Sequence, residues 1–232
     1  MMKIGIIGAM EEEVAGLKDK STDLKVKQIA GSYFHEGTLE NKKIVIVQCG
    51  IGKVNAAVCT QALIDNFDIN YVINTGVAGG VYEELDIGDI VISKDAVQHD
   101  FDTTAFGDGL GVIPRMGESF FKADEKLIDL AKTCIHFLNP RPNVFIGRIA
   151  SGDQFISSLE EKQRIWDNFK AYCAEMEGAS IAHTCYLNKV PFVIIRSISD
   201  KADNSADINF QEFVNKASEN SNKILLEMLK NL

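Results

Sequence analysis

Residues 3–14 read KIGIIGAMEEEV, and this stretch already indicates the fold class. Residues 3–9 form a short run rich in isoleucine and glycine, which is typical of a strand buried on both faces of a sheet. Glu11, Glu12 and Glu13 follow at once, and acidic residues are typical of the first turn of a helix, where they face the positive end of the helix dipole. A strand that passes directly into a helix predicts the first unit of an α/β fold.

The alternation of short apolar runs and helical patterns continues along the chain. Further strands are predicted at residues 32–38, 43–50, 71–75, 89–96, 144–150 and 191–199. Helices are predicted at residues 53–67, 124–137, 178–188 and 210–232. Pro140 and Pro142 predict the end of the helix at residues 124–137. The irregular stretch 99–121 is typical of a functional loop. We therefore expect one α/β domain over residues 1–232, with a central mixed, mostly parallel twisted sheet flanked by helices.

Composition excludes several classes of protein. The chain has 232 residues, with 24 Lys and Arg against 33 Asp and Glu, a formal net charge of −9. An acidic chain argues against nucleic-acid binding, because that binding needs clustered cations. Its five cysteines form no CxxC pair, which is typical of a reducing compartment. No run approaches the roughly 18 apolar residues of a membrane span, and no signal-peptide core is present. We expect a cytoplasmic protein with no metal site, no nucleic-acid partner and no membrane partner.

Carboxylates follow the predicted strands where each strand ends. In a mostly parallel sheet these ends share one edge, the usual place for a ligand. Glu13, Glu177 and Asp200 are therefore expected at one edge, a set that suits acid–base chemistry on a polyhydroxylated substrate. Each also has an ordinary structural explanation: the glutamates as partners of a helix dipole, and Asp200 as the cap of a turn.

Glycines, a histidine and aromatic residues offer further candidates. The cluster of Gly76, Gly79 and Gly80 either lets a ligand approach the backbone or forms a tight turn with positive φ. It lacks the GK[ST] sequence or nearby arginine of a phosphate cradle. The His99–Asp100 pair is interpreted as part of a hydrogen-bonded loop rather than as a catalytic pair. Three phenylalanines in loops or at a helix start stack on a flat base, seal an apolar pocket or fill the core: Phe106, Phe155 and Phe210.

Six short motifs occur along the chain in the order found in one enzyme family. They are KIGIIGAMEEEV at 3–14, GIGKVNAA at 50–57, INTG at 73–76, SGD at 151–153, EME at 175–177 and SISD at 197–200. With them the chain resembles the 5′-methylthioadenosine/S-adenosylhomocysteine nucleosidases of the purine nucleoside phosphorylase superfamily. The resemblance implies a nucleoside phosphorylase-like fold, a homodimer and no cofactor. It also implies hydrolysis of the N-glycosidic bond of 5′-methylthioadenosine, S-adenosylhomocysteine and 5′-deoxyadenosine, releasing adenine in methionine salvage.

The resemblance further implies catalytic roles for single residues. Glu13 would activate the attacking water, with Arg196 nearby, and Glu177 would hold the ribose hydroxyls. Asp200, oriented by Ser199, would protonate N7 of adenine. Asp200 therefore needs a pKa well above its usual value of about 3.9, whereas Glu13 must stay ionised.

Other matched positions would contact the substrate. Met10 and Met176 would lie beside the ribose. Phe155 and Ile156 follow the SGD motif, where the family stacks adenine and reads its edge with backbone groups. The remaining expected substrate contacts are Ile51, Val77, Ala78, Gly79 and Glu175.

The pocket for the 5′-alkylthio group would be shared between two subunits. Phe210 and Phe106 would line it, with Phe106 and Pro114 reaching into the neighbouring subunit. Two residues depart from the family pattern: Val77 stands where several relatives carry serine, and Asp108 stands where an aromatic residue is often found. The first departure bears on the water site, and the second bears on the preferred 5′ substituent.

Three other functions use the same features. A phosphorylase would bind a phosphate dianion, usually through arginine, and no arginine precedes Arg115, which favours hydrolysis. A related hydrolase acting on aminofutalosine would use the same residues. A nucleoside-sensing module that has kept the fold would not need Glu13, Glu177 and Asp200 together.

Overall fold

A computed structural model of the chain describes residues 2–139 and 141–232. Pro140, one of the two prolines expected to end a helix, lies outside the described residues. The strands are β1 (Lys3–Gly8), β2 (Thr22–Ile29), β3 (Ser32–Leu39), β4 (Lys42–Gln48), β5 (Tyr71–Gly80), β6 (Ile90–Gln98), β7 (Phe120–Lys122), β8 (Val144–Ser151), β9 (Ala171–Glu175) and β10 (Phe192–Asp200). The helices are α1 (Glu11–Asp19), α2 (Lys53–Phe67), α3 (Glu125–Cys134), α4 (Leu159–Phe169), α5 (Gly178–Asn188) and α6 (Ala206–Asn231).

The ten strands belong to one mixed sheet. β1 pairs in parallel with β4 and β5, and β10 pairs in parallel with β5. On its other side β10 pairs with β6, and the path through β8 and β9 returns to β5, so these five strands form a closed ring. β3 and β2 extend the sheet beyond β4 as antiparallel neighbours. The predicted α/β class, with a mixed sheet between helices, is confirmed.

Helices cover both faces of the sheet because the strands present apolar residues in both directions. Ile7 of β1 packs in one buried cluster with Leu63 of α2 and residues of α5. Ile4 and Ile6 point to the opposite face and pack in a second cluster with Leu17 of α1 and residues of α3 and α6. Each of these fully buried side chains stabilises the fold by about 1.5–3 kcal/mol. The two layers hold the carboxyl ends of β1, β5 and β10 side by side.

Four elements were not predicted: β2, β7, β9 and α4. β2 reads TDLKVKQI and is mostly exposed, so it lacks the apolar run that marks a buried strand. β9 has only five residues. The polar helix α4 begins with the side chain of Ser158 accepting the Glu161 N–H, a local cap that the sequence does show.

Several predicted boundaries move. The strand expected at 71–75 continues to Gly80, and the C-terminal helix begins at Ala206 rather than at residue 210. The helix predicted at 124–137 ends at Cys134 and is followed by a 3₁₀ turn. No helix within residues 2–139 or 141–232 is long and apolar enough to cross a membrane. The cytoplasmic location stays a prediction.

Candidate functional site

A cavity of about 380 Å³ opens at the carboxyl ends of β1, β5, β9 and β10. Its position is the one that strand order favours for a ligand. The cavity brings together thirteen of the expected site residues, together with two that were not expected. The lining residues are Ala9, Met10, Glu13, Ile51, Val77, Ala78, Gly79, Phe155, Ala174, Glu175, Met176, Glu177, Ser199, Asp200 and Phe210.

The carboxylate of Glu13 is held by three backbone N–H groups. Its Oε2 accepts hydrogen bonds from Ala9 N (2.6 Å) and Met10 N (3.0 Å), and its Oε1 accepts one from Val77 N (3.0 Å). The bond from Met10 also satisfies the start of α1, so Glu13 has a structural role at the beginning of that helix. Burial raises the pKa of Glu13 above its usual value, while the charge of Arg196 and the N–H groups act in the opposite direction. Burial thus opposes the ionised state expected of a base.

Two glycines of β5 make room for carboxylates. A Cβ at Gly76 would overlap the Glu13 carboxylate and would lie 3.2 Å from Nη1 of Arg196. A Cβ at Gly79 would lie 2.8 Å from Oδ1 of Asp200. Neither glycine has a positive φ, so the alternative of a tight turn with positive φ is wrong here. The cluster allows close approach, and the groups that approach are the protein's own carboxylates.

Asp200, the last residue of β10, is buried and hydrogen-bonded on both oxygens. Oδ2 accepts a hydrogen bond from the Ser199 hydroxyl (2.9 Å), and Oδ1 accepts one from Ala202 N (2.8 Å). Burial raises the pKa of Asp200 above its usual value, while these two donors lower it. The net direction is upward, which is what a carboxyl needs to carry a proton near neutral pH. The bond to Ala202 also caps the turn after the strand, which is the structural role expected of Asp200.

Glu177 lies across the cavity, at the junction of β9 and α5. Its Oε1 accepts a hydrogen bond from Gly52 N, 2.7 Å away. Gly52 has φ +96°, a conformation that favours glycine and directs this N–H at the carboxylate. Burial, together with the nearby charge of Glu175, raises the pKa of Glu177 to about 8. The side chain is 6% exposed, and that exposed part faces the cavity.

Glu175 and Arg196 form a buried ion pair behind the cavity wall. Nη2 of Arg196 lies 2.6 Å from Oε2 of Glu175 and 2.6 Å from Oδ1 of Asn74. The Ser151 hydroxyl and the N–H of Gly178 also donate to Glu175. Burial lowers the pKa of Arg196, but the charges of Glu175 and Glu13 outweigh burial and raise it. Glu175 lines the cavity with its oxygens already occupied, and Arg196 does not line it.

Two phenylalanine rings close one side of the cavity. Phe155 and Phe210 meet edge to face, with ring centroids 5.7 Å apart and planes at 78°. Phe155 is 45% exposed and lines the cavity. Ile156 is buried and lies on a recess of about 30 Å³ that shares Asp200 with the main cavity and includes Gln154.

Two expected substrate contacts lie away from this cavity, and so does His99, for which a structural role was expected. Phe106, which is 87% exposed, and Pro114 sit on the irregular stretch 99–121 and do not line it. His99 is fully buried, and neither ring nitrogen has a hydrogen-bond partner among the described residues. The ring of His99 is therefore not hydrogen-bonded as expected, although the residue lies in the turn after β6 and its backbone N–H donates to Ser151 O over 2.9 Å. Its ring packs where a Cβ at Gly152 would overlap it.

Some residues of the site have no side-chain chemistry that sequence patterns could reveal. Ala9 and Ala174 line the cavity. Ala9 could have been found from its position next to Met10 in the motif at 3–14, whereas no motif includes Ala174. Asn74 belongs to the INTG motif and donates to Ile7 O while accepting from Arg196. Its role becomes visible when β1, β5 and β10 are placed side by side.

The cavity is acidic. Four carboxylates line it, from Glu13, Glu175, Glu177 and Asp200, and the set of lining residues includes no Lys, Arg or His. Such a site can accept hydrogen bonds from hydroxyl groups and from water. It can also donate a proton from whichever carboxyl is protonated.

Comparison with known proteins gives a consistent result. The family model described as the phosphorylase superfamily matches residues 3–230. A 5′-methylthioadenosine/S-adenosylhomocysteine nucleosidase from Staphylococcus haemolyticus is 46% identical over 98% of this chain and 99% of its own length.

Solved structures agree with the sequence matches. The nucleosidase of that name from Neisseria meningitidis, in complex with methylthio-immucillin-A, is 41% identical with a TM-score of 0.96, and both chains are covered completely. The futalosine hydrolase of Helicobacter pylori is 38% identical with a TM-score of 0.95, over 100% of this chain and 98% of its own. The chain therefore belongs to the 5′-methylthioadenosine/S-adenosylhomocysteine nucleosidase family within the phosphorylase superfamily.

Proposed function

We propose that the chain, as one nucleosidase domain over residues 1–232, hydrolyses the N-glycosidic bond of 5′-methylthioadenosine and S-adenosylhomocysteine. The products are adenine and the corresponding 5′-thioribose, and 5′-deoxyadenosine is a further substrate. The activity would serve methionine salvage and removal of a product of methyl transfer. Relatives that carry this name at 43–47% identity over nearly the whole chain support the proposal.

Glu13 is the general base. It takes a proton from the water that attacks C1′ of the ribose. The three N–H groups and Arg196 favour its ionised form and partly offset burial, which on balance raises the pKa of Glu13 and makes the carboxylate a stronger base. Val77 holds Glu13 through its backbone N–H, so the side chain at this position, where relatives carry serine, leaves that bond intact.

Asp200 is the general acid. Adenine is a poor leaving group as an anion, and protonation of N7 makes its departure easier. Burial raises the pKa of Asp200, which favours the protonated form that a general acid needs, and the hydrogen bonds from Ser199 and Ala202 fix the carboxyl at the cavity wall. The recess with Ile156 adjoins Asp200 and would receive the edge of the purine, while Phe155 offers the ring a stacking face.

Glu177 holds the ribose hydroxyls. As the glycosidic bond breaks, positive charge develops on the sugar, as in glycoside hydrolysis. A carboxylate bonded to a ribose hydroxyl interacts more strongly with that charge than with the neutral substrate. A hydroxyl that donates to Glu177 favours its ionised form, against the burial that raises its pKa to about 8. Met10 and Met176 line the cavity beside this position and contact the ribose.

The acidic lining of the cavity is the observation that favours hydrolysis over phosphorolysis. A phosphate dianion in this cavity would face four carboxylates, with no Lys, Arg or His among the lining residues. Arg196, which does not line the cavity, is 2% exposed, and its Nη2 donates to Glu175 and Asn74. Water needs no cation and is activated by the carboxylate already in place.

The test of the proposed function is an assay in phosphate-free buffer with 5′-methylthioadenosine. We expect adenine and 5-methylthioribose in equal amounts. A strict requirement for phosphate, with methylthioribose 1-phosphate as the product, would overturn the assignment as a hydrolase.

The chain also forms a homodimer in this proposal, with Phe106 and Pro114 entering the partner's 5′ pocket. An apolar stripe supports it. Val54 and Val58, which are 74% and 48% exposed, lie one turn apart on the same side of α2, and Ile51, which is 55% exposed, lines the cavity just before that helix begins. Exposed apolar residues in such a row are typical of an interface.

Light scattering tests the dimer. The wild-type protein should have twice the 25.6 kDa mass of the chain. The double variant V54D/V58D should be monomeric, because two carboxylates would be buried in the interface. Val26, which is 57% exposed on β2, provides the control substitution V26D, expected to stay dimeric. A monomeric wild-type protein would refute this part of the proposal.

Hydrolysis of aminofutalosine is the second candidate, favoured by the 38% identity to a protein named futalosine hydrolase. Its 5′ substituent would meet the segment that carries Asp108. Ratios of kcat/KM for 5′-methylthioadenosine, S-adenosylhomocysteine, 5′-deoxyadenosine and aminofutalosine decide between the two candidates.

A further inference from the structure

Two sequence motifs take no direct part in the chemistry proposed above, yet they contact each other. The GIGK motif begins α2, and the SGD motif follows β8. The backbone N–H of Lys53 donates to Oδ1 of Asp153 over 2.8 Å, although the two residues are 100 positions apart. Asp153 thus caps the first turn of a helix from a distant loop.

A third residue closes this contact. The ammonium group of Lys53 lies 2.6 Å from Oδ1 of Asp100, and Asp153 N donates to Oδ2 of the same carboxylate over 2.9 Å. The side chains of Lys53 and Asp100 are each 18% exposed, so the pair is largely shielded from solvent. We refer to Lys53, Asp100 and Asp153 as the polar clasp.

Lys53 and Asp153 of the clasp each lie close in sequence to residues that form or contact the wall of the cavity. Gly52, the residue before Lys53, donates its N–H to Glu177 over 2.7 Å. Phe155, two residues after Asp153, also lines the cavity, and Ile156 lies on the recess beside it. The two halves lie close together, since a Cβ on Gly52 would be 3.1 Å from Oδ1 of Asp153. The ribose side and the base side of the cavity are therefore joined through the clasp.

We infer that Asp153 is a positioning residue that fixes the distance between Glu177 and the loop bearing Phe155 and Ile156. The inference rests on the proposed function, because it assigns ribose to one wall and adenine to the other. Glu13 and Asp200 are held by other elements, β1 with α1 and β10, so the clasp governs binding of the nucleoside more than the bond-breaking step.

The chain supplies a matched control for the loss of a helix cap. Asp124 caps α3 through Oδ1, which accepts the Leu127 N–H over 3.1 Å, and it does not line the cavity. D124A therefore removes an aspartate cap of the same kind without touching either wall. D153N keeps an oxygen that can accept the Lys53 N–H, so it tests the hydrogen bond apart from the charge.

The experiment measures kcat and KM for 5′-methylthioadenosine in these variants. D153A should raise KM about tenfold, equivalent to about 1.4 kcal/mol, with kcat changed less than about threefold. D124A should keep the wild-type KM, and D153N should stay within about threefold of it. K53M, which removes the contact with Asp100, should raise KM in the same direction and serves if D153A does not fold. Equal KM values for D153A, D124A and wild type would overturn the inference.

Hydrogen exchange distinguishes failure of this inference from failure of the proposed function, because it needs no activity. In D153A the amides of residues 50–54 and 152–156 should lose protection together, while D124A leaves both segments unchanged. If the wild-type protein is inactive but both segments lose protection together in D153A, the proposed function is refuted and the clasp still stands as a structural link. Exchange that stays independent in the two segments would refute the clasp whatever the activity.

Discussion

The close approach of β5 to Glu13 allows a sharp test by one added methyl group. In G76A the new Cβ would overlap Oε1 of Glu13 and lie 2.9 Å from its Cδ. Ordinary carbon contacts are about 3.5 Å or longer, so the carboxyl group must move by about 0.6 Å or more. Arg196 limits the alternatives, because its Nη1 would be 3.2 Å from the same Cβ. The backbone of Gly76 itself can accept alanine, since its φ is not positive.

The displacement removes the hydrogen bond from Val77 N to Oε1, which is 3.0 Å long. A hydrogen bond to a charged group contributes about 1.5–3 kcal/mol, which corresponds to about a 10- to 100-fold change in rate. We expect kcat to fall by that factor, with little change in KM, because the ribose and adenine contacts lie elsewhere in the cavity. Overpacking should also lower the free energy of unfolding by about 1–3 kcal/mol.

G80A is the control, because Gly80 lies in the same strand and its new Cβ would meet Ile198 Cγ2 at 3.3 Å rather than a carboxylate. Steady-state kinetics and urea unfolding of both variants separate the loss of activity from the loss of stability. Turnover of G76A within about threefold of G80A would show that the position of Glu13 does not limit the reaction.

Three further predictions follow from the other carboxylates. D200N should lower kcat by about 100-fold or more, the scale of a general acid, and near-wild-type turnover would remove Asp200 from that role. G79A places a Cβ 2.8 Å from Oδ1 of Asp200, so it should lower kcat more than G80A does in the same assay. Burial raises the pKa of Glu177 from 4.5 to about 8, so between these values the folded protein keeps a proton that the unfolded chain has lost. The free energy of unfolding should therefore fall as pH rises from 5 to 8, and urea titrations should show a smaller fall in E177Q; an equal fall would contradict the raised pKa.

The parts of the fold that sequence could predict are those where burial dictates residue type. β1, β4 and β10 are rich in isoleucine and valine because both of their faces are covered. β2 could not be found in this way, since its residues are mostly exposed and its place in the sheet comes from pairing with β3. The extension of β5 through Gly80 was hidden because glycine is usual in turns, whereas here it leaves room for carboxylates.

The candidate site follows the same division. Motifs located Glu13, Glu177 and Asp200, and strand order brings them to one cavity. Motifs could not show that Glu175 would be occupied by Arg196 and Gly178, because that pairing depends on how β9, α5 and β10 meet. Contacts of this kind join residues far apart in sequence, so the spacing of residues in a motif cannot predict them.

The central claim is that three carboxylates act on one nucleoside in one cavity. A crystal structure of the chain with methylthio-immucillin-A, the compound bound to the Neisseria meningitidis relative, tests it most directly. We expect Asp200 at about 3 Å from the N7 position of the base, Glu177 at about the same distance from the sugar hydroxyls, and Glu13 facing the C1′ position through a water. A ligand seated outside this cavity, or a base turned away from Asp200, would contradict the account.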